Sequence, residues 1–411
     1  MEKDFVWAVG IEDTFVTQVE HGERALDEYE LTQHYQNWRS DLDKARQSGA
    51  TMIRYGIPWY KIEPEEGRFD WEWTDQVMDY FREHKGLTPI IDLMHYGTPH
   101  WLKNEFANGL YPECVARYAA RFAERYKDIV TYYTPLNEPY VNAEFCGLNA
   151  VWPPYLEGLG GFYRILTQVG KGIINTVHAI QSVQEEAQFV HVDATKKYFT
   201  HDPLLQNEVD LWNENRFAMW ELVSGKITKV HPLRTLMSQY GVGEETFSWF
   251  ENNGIGFDIV GINYYPQFSV HEVKRDAKGY VIYPHVMGTE EDMADIIREA
   301  SRRYRSPVMI TETSFRGSEN ERIDWLNRCH RKCEELRTAE KIELTGLTWF
   351  PFLDLVDWGY RTSGKSVEEE VLPFGLYTLK MEDGRLKRKK NRVCDRFEEL
   401  AGKKDGRRRN G

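Results

Sequence analysis

A chain of 411 residues with 41% hydrophobic content can hold two or three average domains, or one large barrel with its loops. Its formal net charge of −13 argues against a nucleic-acid-binding body. No apolar run approaches the length of a membrane span.

In chain order, short apolar runs alternate with helical stretches. Phe5–Ile11 reads as a strand and Tyr35–Ser48 as a helix ending at Gly49. Strand Thr51–Ile57 precedes helix Trp73–Lys85, and strand Leu87–His95 precedes helix Glu113–Lys127. Ile129–Glu138 is the fourth strand. A Gly- and Pro-rich loop around Trp152–Gly161 then leads into a long helix running to about Glu186. Phe189–Thr195 and Asp258–Tyr265 are strands five and six, with helix Asn207–Ser224 between them. Helix Glu290–Tyr304 leads to strand Pro307–Glu312, helix Asn320–Arg337 to strand Ile342–Phe352, and Lys390–Ala401 is the last helix. Eight strand–helix units without a Gly/Ser linker predict one (β/α)8 barrel over residues 1–402. No Gly-x-Gly-x-x-Gly follows the first strand, which removes the support for a dinucleotide fold.

The basic end at 403–411 reads as a frayed, solubilising tail. Met1-Glu2-Lys3-Asp4 lacks the layout of a secretory signal, and five scattered cysteines suggest reduced thiols, so a cytoplasmic protein is expected. Cys329 and Cys333 share a helix face with no second ligand pair near them, so no metal site is expected there.

Barrel active sites lie at the carboxyl ends of the strands. Those ends carry Arg54, His95, Asn137, Glu138, Asn263, Tyr264, Tyr265, Glu312 and Trp349. Each can hydrogen-bond, carry charge or stack on a sugar. Glu138 precedes Pro139, and proline pushes the residue before it toward extended geometry, which predicts a carboxyl held at the end of strand four. Glu312 ends strand seven. Two such carboxyls facing across a barrel mouth suit glycoside hydrolysis, one protonating the leaving oxygen and the other attacking the anomeric carbon. Arg54 near the second would favour its ionised form. Aromatic residues at 14% would suit a sugar cleft, but large cores also absorb aromatics, and composition alone favours the core.

Several segments run in one order through the chain: Phe5-Val6-Trp7, Arg54 before Trp59, and His95 ahead of Pro99-His100-Trp101-Leu102. Thr134-Pro135-Leu136-Asn137-Glu138-Pro139, Gly261-Ile262-Asn263-Tyr264-Tyr265 and Ile310-Thr311-Glu312 follow. Asp354-Leu355-Val356-Asp357-Trp358 and Phe374-Gly375-Leu376-Tyr377 complete the set. Together they resemble the family 1 glycoside hydrolases, the β-glucosidase-like retaining enzymes. The resemblance implies Glu138 as acid/base and Glu312 as nucleophile. It implies Asn137 donating to a sugar 2-hydroxyl, Tyr265 and Arg54 orienting the nucleophile, His95 binding a ring hydroxyl, and Trp349 as the sugar platform. Asp357 and Trp358 stand where the family carries a late Glu before Trp.

The departures concern the sugar clamp. The first strand continues Gly10-Ile11-Glu12-Asp13-Thr14-Phe15, with no Gln in register, which leaves Glu12 or Asp13 to substitute or the contact absent. Tyr96-Gly97 stands for Trp-Asp, Thr313-Ser314 for Asn-Gly, and the spacing from Trp349 to Asp357-Trp358 is one residue longer. Glucose as substrate therefore does not follow. A sugar-binding barrel with little turnover and a related barrel hydrolase of longer glycans are the rival readings. Arg361, Ser363 and Lys365 form a loop that could hold a phosphosugar's anion. Carbohydrate is the expected partner. No cofactor is implied, because both steps need only carboxyl groups and water.

Overall fold

The computed structural model describes residues 5–19 and 21–402. The expected tail at 403–411 and the segment Met1-Glu2-Lys3-Asp4 lie outside the described residues. Eight parallel strands close a barrel in sequence order: β1 (Val6–Gly10), β2 (Met52–Gly56), β3 (Thr88–Asp92), β4 (Tyr132–Thr134), β5 (Gln188–Ala194), β6 (Ile259–Asn263), β7 (Val308–Thr313) and β8 (Leu344–Trp349). The barrel closes where β1 pairs with β8, Val6 opposite Gly346 and Val9 opposite Trp349. Gly346 is required there, because a Cβ would lie 2.7 Å from the Val6 carbonyl oxygen.

Strand side chains alternate between two cores. Ala8, Ile90, Val190, Val192 and Met309 fill the barrel interior. Their neighbours Trp7, Val9, Ile53, Tyr55, Ile91, Ile262, Ile310 and Leu347 belong to the larger core between strands and helices. This double burial is why the strands read as continuous apolar runs. Helices Glu290–Tyr304 and Glu319–Thr338 open on reciprocal capping boxes from Thr289 and Ser318. Cys329 and Cys333 face the core from the second of these. Among the described residues no helix is long and apolar enough to cross a membrane.

Three expectations change. Strand four is only Tyr132–Thr134, and Glu138 is not extended: it has φ 44° and ψ 61°, in the left-handed region. Its carbonyl accepts the Asn142 N–H at 3.0 Å, opening helix Pro139–Ala143, while the Asn137 N–H is tied to the Met94 carbonyl at 2.9 Å. Those two anchors override the pre-proline preference and leave strained backbone under a candidate catalytic carboxyl.

The expected helix Asn207–Ser224 breaks into Gln206–Asn215 and Ala218–Val223. Asn215 turns inward to bond the Tyr140 and Tyr163 hydroxyls, and Arg216 donates to the Lys196 carbonyl. Between β5 and β7 the chain also adds a small sheet (Lys197–Phe199, Val270–Glu272, His285–Val286) and helices Pro232–Gln239 and Glu244–Asn253. A hairpin, Tyr377–Glu382 with Arg385–Lys390, follows β8.

Candidate active site

The site is built around Arg54, which points into the barrel from β2 and is fully buried. Its Nη1 lies 2.5 Å from Glu312 Oε1, and its Nη2 donates to Asp92 Oδ2 at 2.5 Å and to Asn137 Oδ1 at 2.9 Å. A guanidinium presents its donors in a rigid fork, so one side chain fixes residues from β3, β7 and the segment after β4. Tyr265 donates to the other oxygen of Glu312 at 2.7 Å.

Glu138 is held differently. Asn263 Nδ2 donates to its Oε1 at 2.8 Å, and the Tyr96 hydroxyl donates to its Oε2. The Thr311 hydroxyl donates to Asn263 Oδ1 at 2.7 Å, which fixes the amide with its nitrogen toward Glu138. The two carboxyls are nearly closed off, Glu138 at 7% exposure and Glu312 at 3%. Glu312 is the one with a cation against it; the bonds to Glu138 come from neutral donors.

His95 is the third anchor. Its Nε2 lies 2.9 Å from Asn137 Nδ2 and its Nδ1 2.7 Å from Asp13 Oδ1. Burial works against its charged form, but the Asp13, Asp92 and Glu12 carboxylates around it raise it well above the usual imidazole range. Asp13 fits because Gly56 has no side chain: a Cβ there would lie 1.9 Å from Asp13 Oδ2. At the place expected to hold the missing Gln, Asp13 is therefore committed to His95. Glu12 turns to Thr14, which donates to it from the hydroxyl at 2.6 Å and the amide at 3.2 Å. Asp13, Asp92 and His95 are close enough to form a metal-binding triad. Asp92 Oδ2 is taken by Arg54, while His95 Nδ1 lies against Asp13 at ion-pair distance. Asp13 Oδ1 and Oδ2, Asp92 Oδ1 and His95 Nδ1 have no hydrogen-bond partner.

Charge is unevenly distributed in this closed space. Burial, with Glu138's like charge added, pushes Glu312 up to about 8 against the pull of Arg54, a value that belongs to the interacting pair. Burial likewise raises Asp13 to about 7, with His95 opposing and Asp92 adding. Asp92 moves the other way: burial alone would raise it, but Arg54 and His95 hold it below the usual carboxylate range.

Of the residues expected at the strand ends, Arg54, His95, Asn137, Glu138, Asn263, Tyr265 and Glu312 form one hydrogen-bonded network. Tyr264 is a packing residue, stacked on Trp325 with its hydroxyl on the Thr289 carbonyl. Trp349 is also outside the network. Strand alternation puts it with Leu347 on the outer face of β8, and its indole N–H donates to the Phe374 carbonyl at 3.0 Å.

Phe350, one residue on, takes the inward place. Its ring lies 6.3 Å from His95, with the Arg54 guanidinium carbon 5.3 Å from its centre, and it covers Gly10, where a Cβ would lie 2.3 Å away. The extra residue between Trp349 and Asp357 is the sequence trace of this shift. Asp357 is not in the network either: its carboxylate accepts the Gly359 N–H at 2.7 Å, closing a local turn. Trp358 joins Tyr96, Trp152 and Phe145 in an aromatic cluster on the Glu138 side.

The anion-holding loop is not present as expected. Arg361 is buried and serves the Val16 and Gln18 carbonyls and Glu23, Ser363 accepts from Arg24, and Lys365 pairs with Glu370 at 3.6 Å. Sequence reading missed Asp92, and it named Asp13 and Tyr96 only as departures from the family pattern, without their contacts to His95 and Glu138. The signal for Asp92 was a lone acid inside a buried apolar strand, which requires a counter-ion.

A sequence profile of glycosyl hydrolase family 1 matches residues 8–405. The chain is 23% identical over 361 residues to beta-glucosidase A of Thermotoga maritima, covering 79% of this chain and 78% of that protein. It is also 23% identical over 397 residues to the aryl-phospho-beta-D-glucosidase BglC of Bacillus subtilis, covering 83% and 81%. The solved structure of the Thermotoga maritima beta-glucosidase in complex with deoxynojirimycin superposes with a TM-score of 0.80 at 19% identity, over 98% of this chain and 99% of that one. The match along nearly its whole length and the shared eight-stranded barrel make this chain a glycoside hydrolase, a member of glycosyl hydrolase family 1.

Proposed function

We propose that the protein is a retaining β-glycosidase in which Glu312 is the nucleophile and Glu138 the acid/base. The observation that carries this assignment is the asymmetry of their partners. Glu312 meets the Arg54 cation at 2.5 Å, whereas Glu138 meets only the Asn263 amide and the Tyr96 phenol. The guanidinium favours the ionised form of Glu312, the form a nucleophile needs, and leaves the acid's role to the carboxyl that has neutral donors only.

In the first step Glu138 gives its proton to the departing glycosidic oxygen while Glu312 bonds to the anomeric carbon. In the second, Glu138 takes a proton from water, the water oxygen attacks that carbon, and Glu312 leaves as the carboxylate. Arg54 and Tyr265 hold Glu312 on line for both steps, and Phe350 supplies the apolar face under the sugar. Asn137 and His95 bond each other and their neighbours, so a ring hydroxyl reaches them only by exchanging for one of those contacts. A phosphorylated glycone, of the kind named for the Bacillus subtilis relative, is disfavoured because Arg361 is already committed to Glu23 and two carbonyls.

The test is trapping with a panel of 2-deoxy-2-fluoro β-glycosyl fluorides, read by intact mass. A single covalent adduct on Glu312, absent in Glu312→Ala, is expected, and the sugar that labels identifies the glycone. No adduct with any β-configured sugar would overturn the assignment.

A further inference from the structure

The residue after His95 holds an unusual backbone position. Tyr96 has φ 74°, in the left-handed region that few tyrosines adopt. It is followed by Gly97, where a Cβ would lie 1.6 Å from the Phe15 carbonyl oxygen. The close pass of the first-strand loop over Gly97 thus coincides with a turn that sends the Tyr96 side chain back over the site. The ring is buried, packed edge-on to Trp358 and tilted against Trp152. Its hydroxyl reaches Glu138 Oε2 and accepts from Asn137 Nδ2 at 3.2 Å.

Asn137 has no choice in this arrangement. Its oxygen is taken by Arg54 and Asn263, so its nitrogen must donate, and the phenol proton is directed at Glu138. Burial, with Glu138 and Glu312 nearby, raises the phenol well above its usual range, so Tyr96 stays a donor.

We propose that Tyr96 is a positioning residue for the acid/base, holding Glu138 by a hydrogen bond that is strongest once Glu138 has given up its proton. This rests on the assignment of Glu138 above. A donor to a carboxylate favours the ionised form. The bond therefore strengthens as the proton moves to the leaving oxygen, which is differential stabilisation of the transition state. No bond of Tyr96 is made or broken; its proton remains on the phenol throughout.

The variant Tyr96→Phe keeps the ring and its packing and removes the hydroxyl, which ends the bond to Glu138 and the longer one from Asn137. On the β-glycoside identified by trapping, aryl leaving groups of graded acidity separate the outcomes. With a poor leaving group, which needs the acid, kcat/KM should fall about tenfold, the scale of one hydrogen bond to a charged group. With a 2,4-dinitrophenyl leaving group, which does not, it should stay within about twofold, since acid catalysis contributes little there. The alkaline limb of the kcat/KM profile should also move to higher pH, because Glu138 parts with its proton less readily.

An equal loss for all leaving groups with an unmoved profile would mark a merely structural role and overturn the proposal. Unchanged kinetics would overturn it as well. Glu138→Ala distinguishes the two levels of the argument. If azide restores its turnover of the 2,4-dinitrophenyl glycoside, Glu138 stands as the acid/base and Tyr96→Phe judges Tyr96 alone. If it retains full activity on poor leaving groups, both assignments fall.

Discussion

Arg54 and Glu312 lie on different strands, β2 and β7, and their side chains meet inside the barrel at 2.5 Å, both nearly solvent-free. The same guanidinium carries Asp92, so a single cation offsets two buried carboxylates and fixes the orientation of both.

Replacing Arg54 by Met should therefore affect folding and activity together. Two carboxylates would lose their counter-charge, a cost of about 3–5 kcal/mol for a broken buried pair. Thermal unfolding should show a clear drop in Tm, and labelling of Glu312 by the fluorosugar should slow by orders of magnitude. A variant with unchanged Tm would show that the pair is not a structural element.

The raised carboxyls predict the direction of pH dependence. The interacting carboxyl pair that includes Glu312 is pushed up to about 8 and Asp13 to about 7, from ordinary values of 4.5 and 3.8. The folded state thus binds protons that the unfolded chain has already released. The stability from these groups is fully present below their unfolded values and is lost as pH rises through about 7–8. Calorimetry from pH 5 to 9 should show this decline, and Glu312→Gln, which removes one titrating group, should flatten it.

Trp349 and Phe350 should separate stability from catalysis. Trp349→Phe removes the bond to the Phe374 carbonyl and should cost about 1 kcal/mol of stability while leaving kcat/KM nearly intact. Phe350→Leu alters the face beside His95 and Arg54 and should lower kcat/KM at least several-fold. The reverse pattern would restore Trp349 to the site.

Arg361→Gln should lower Tm, because it breaks a buried contact to Glu23 and leaves two carbonyls short, at a cost of about 3 kcal/mol. The ratio of activities on a glycoside and its 6-phosphorylated form should not change. A selective loss on the phosphorylated substrate would return Arg361 to anion binding.

The barrel was legible because each strand is buried on both faces and each helix on one, so the alternation is written in apolar runs. The seven-residue network from Arg54 to Glu312 was legible for a related reason, since polar residues at the ends of apolar strands have few other places to go. What stayed hidden depended on parity and on left-handed backbone. A one-residue change at the end of β8 exchanges Trp349 for Phe350, and apolar patterning does not distinguish two adjacent aromatics. The turn at Tyr96 and the conformation of Glu138 are imposed by contacts with Phe15, Met94 and Asn142, partners that local preferences do not include. Asp357 was placed by motif, but its carboxylate is consumed by a neighbouring amide.

The pairing of Val6 with Gly346 links the start of the chain to its final barrel strand. On the ribosome, β1 is the first of the eight strands to emerge and must wait with an open hydrogen-bonding edge until β8 has been made. Neither carboxyl-bearing segment can be locked into the finished ring before then. Ring closure thus waits for β8, and a nascent chain stalled before Leu344 presents an unsealed sheet rather than a partly active barrel.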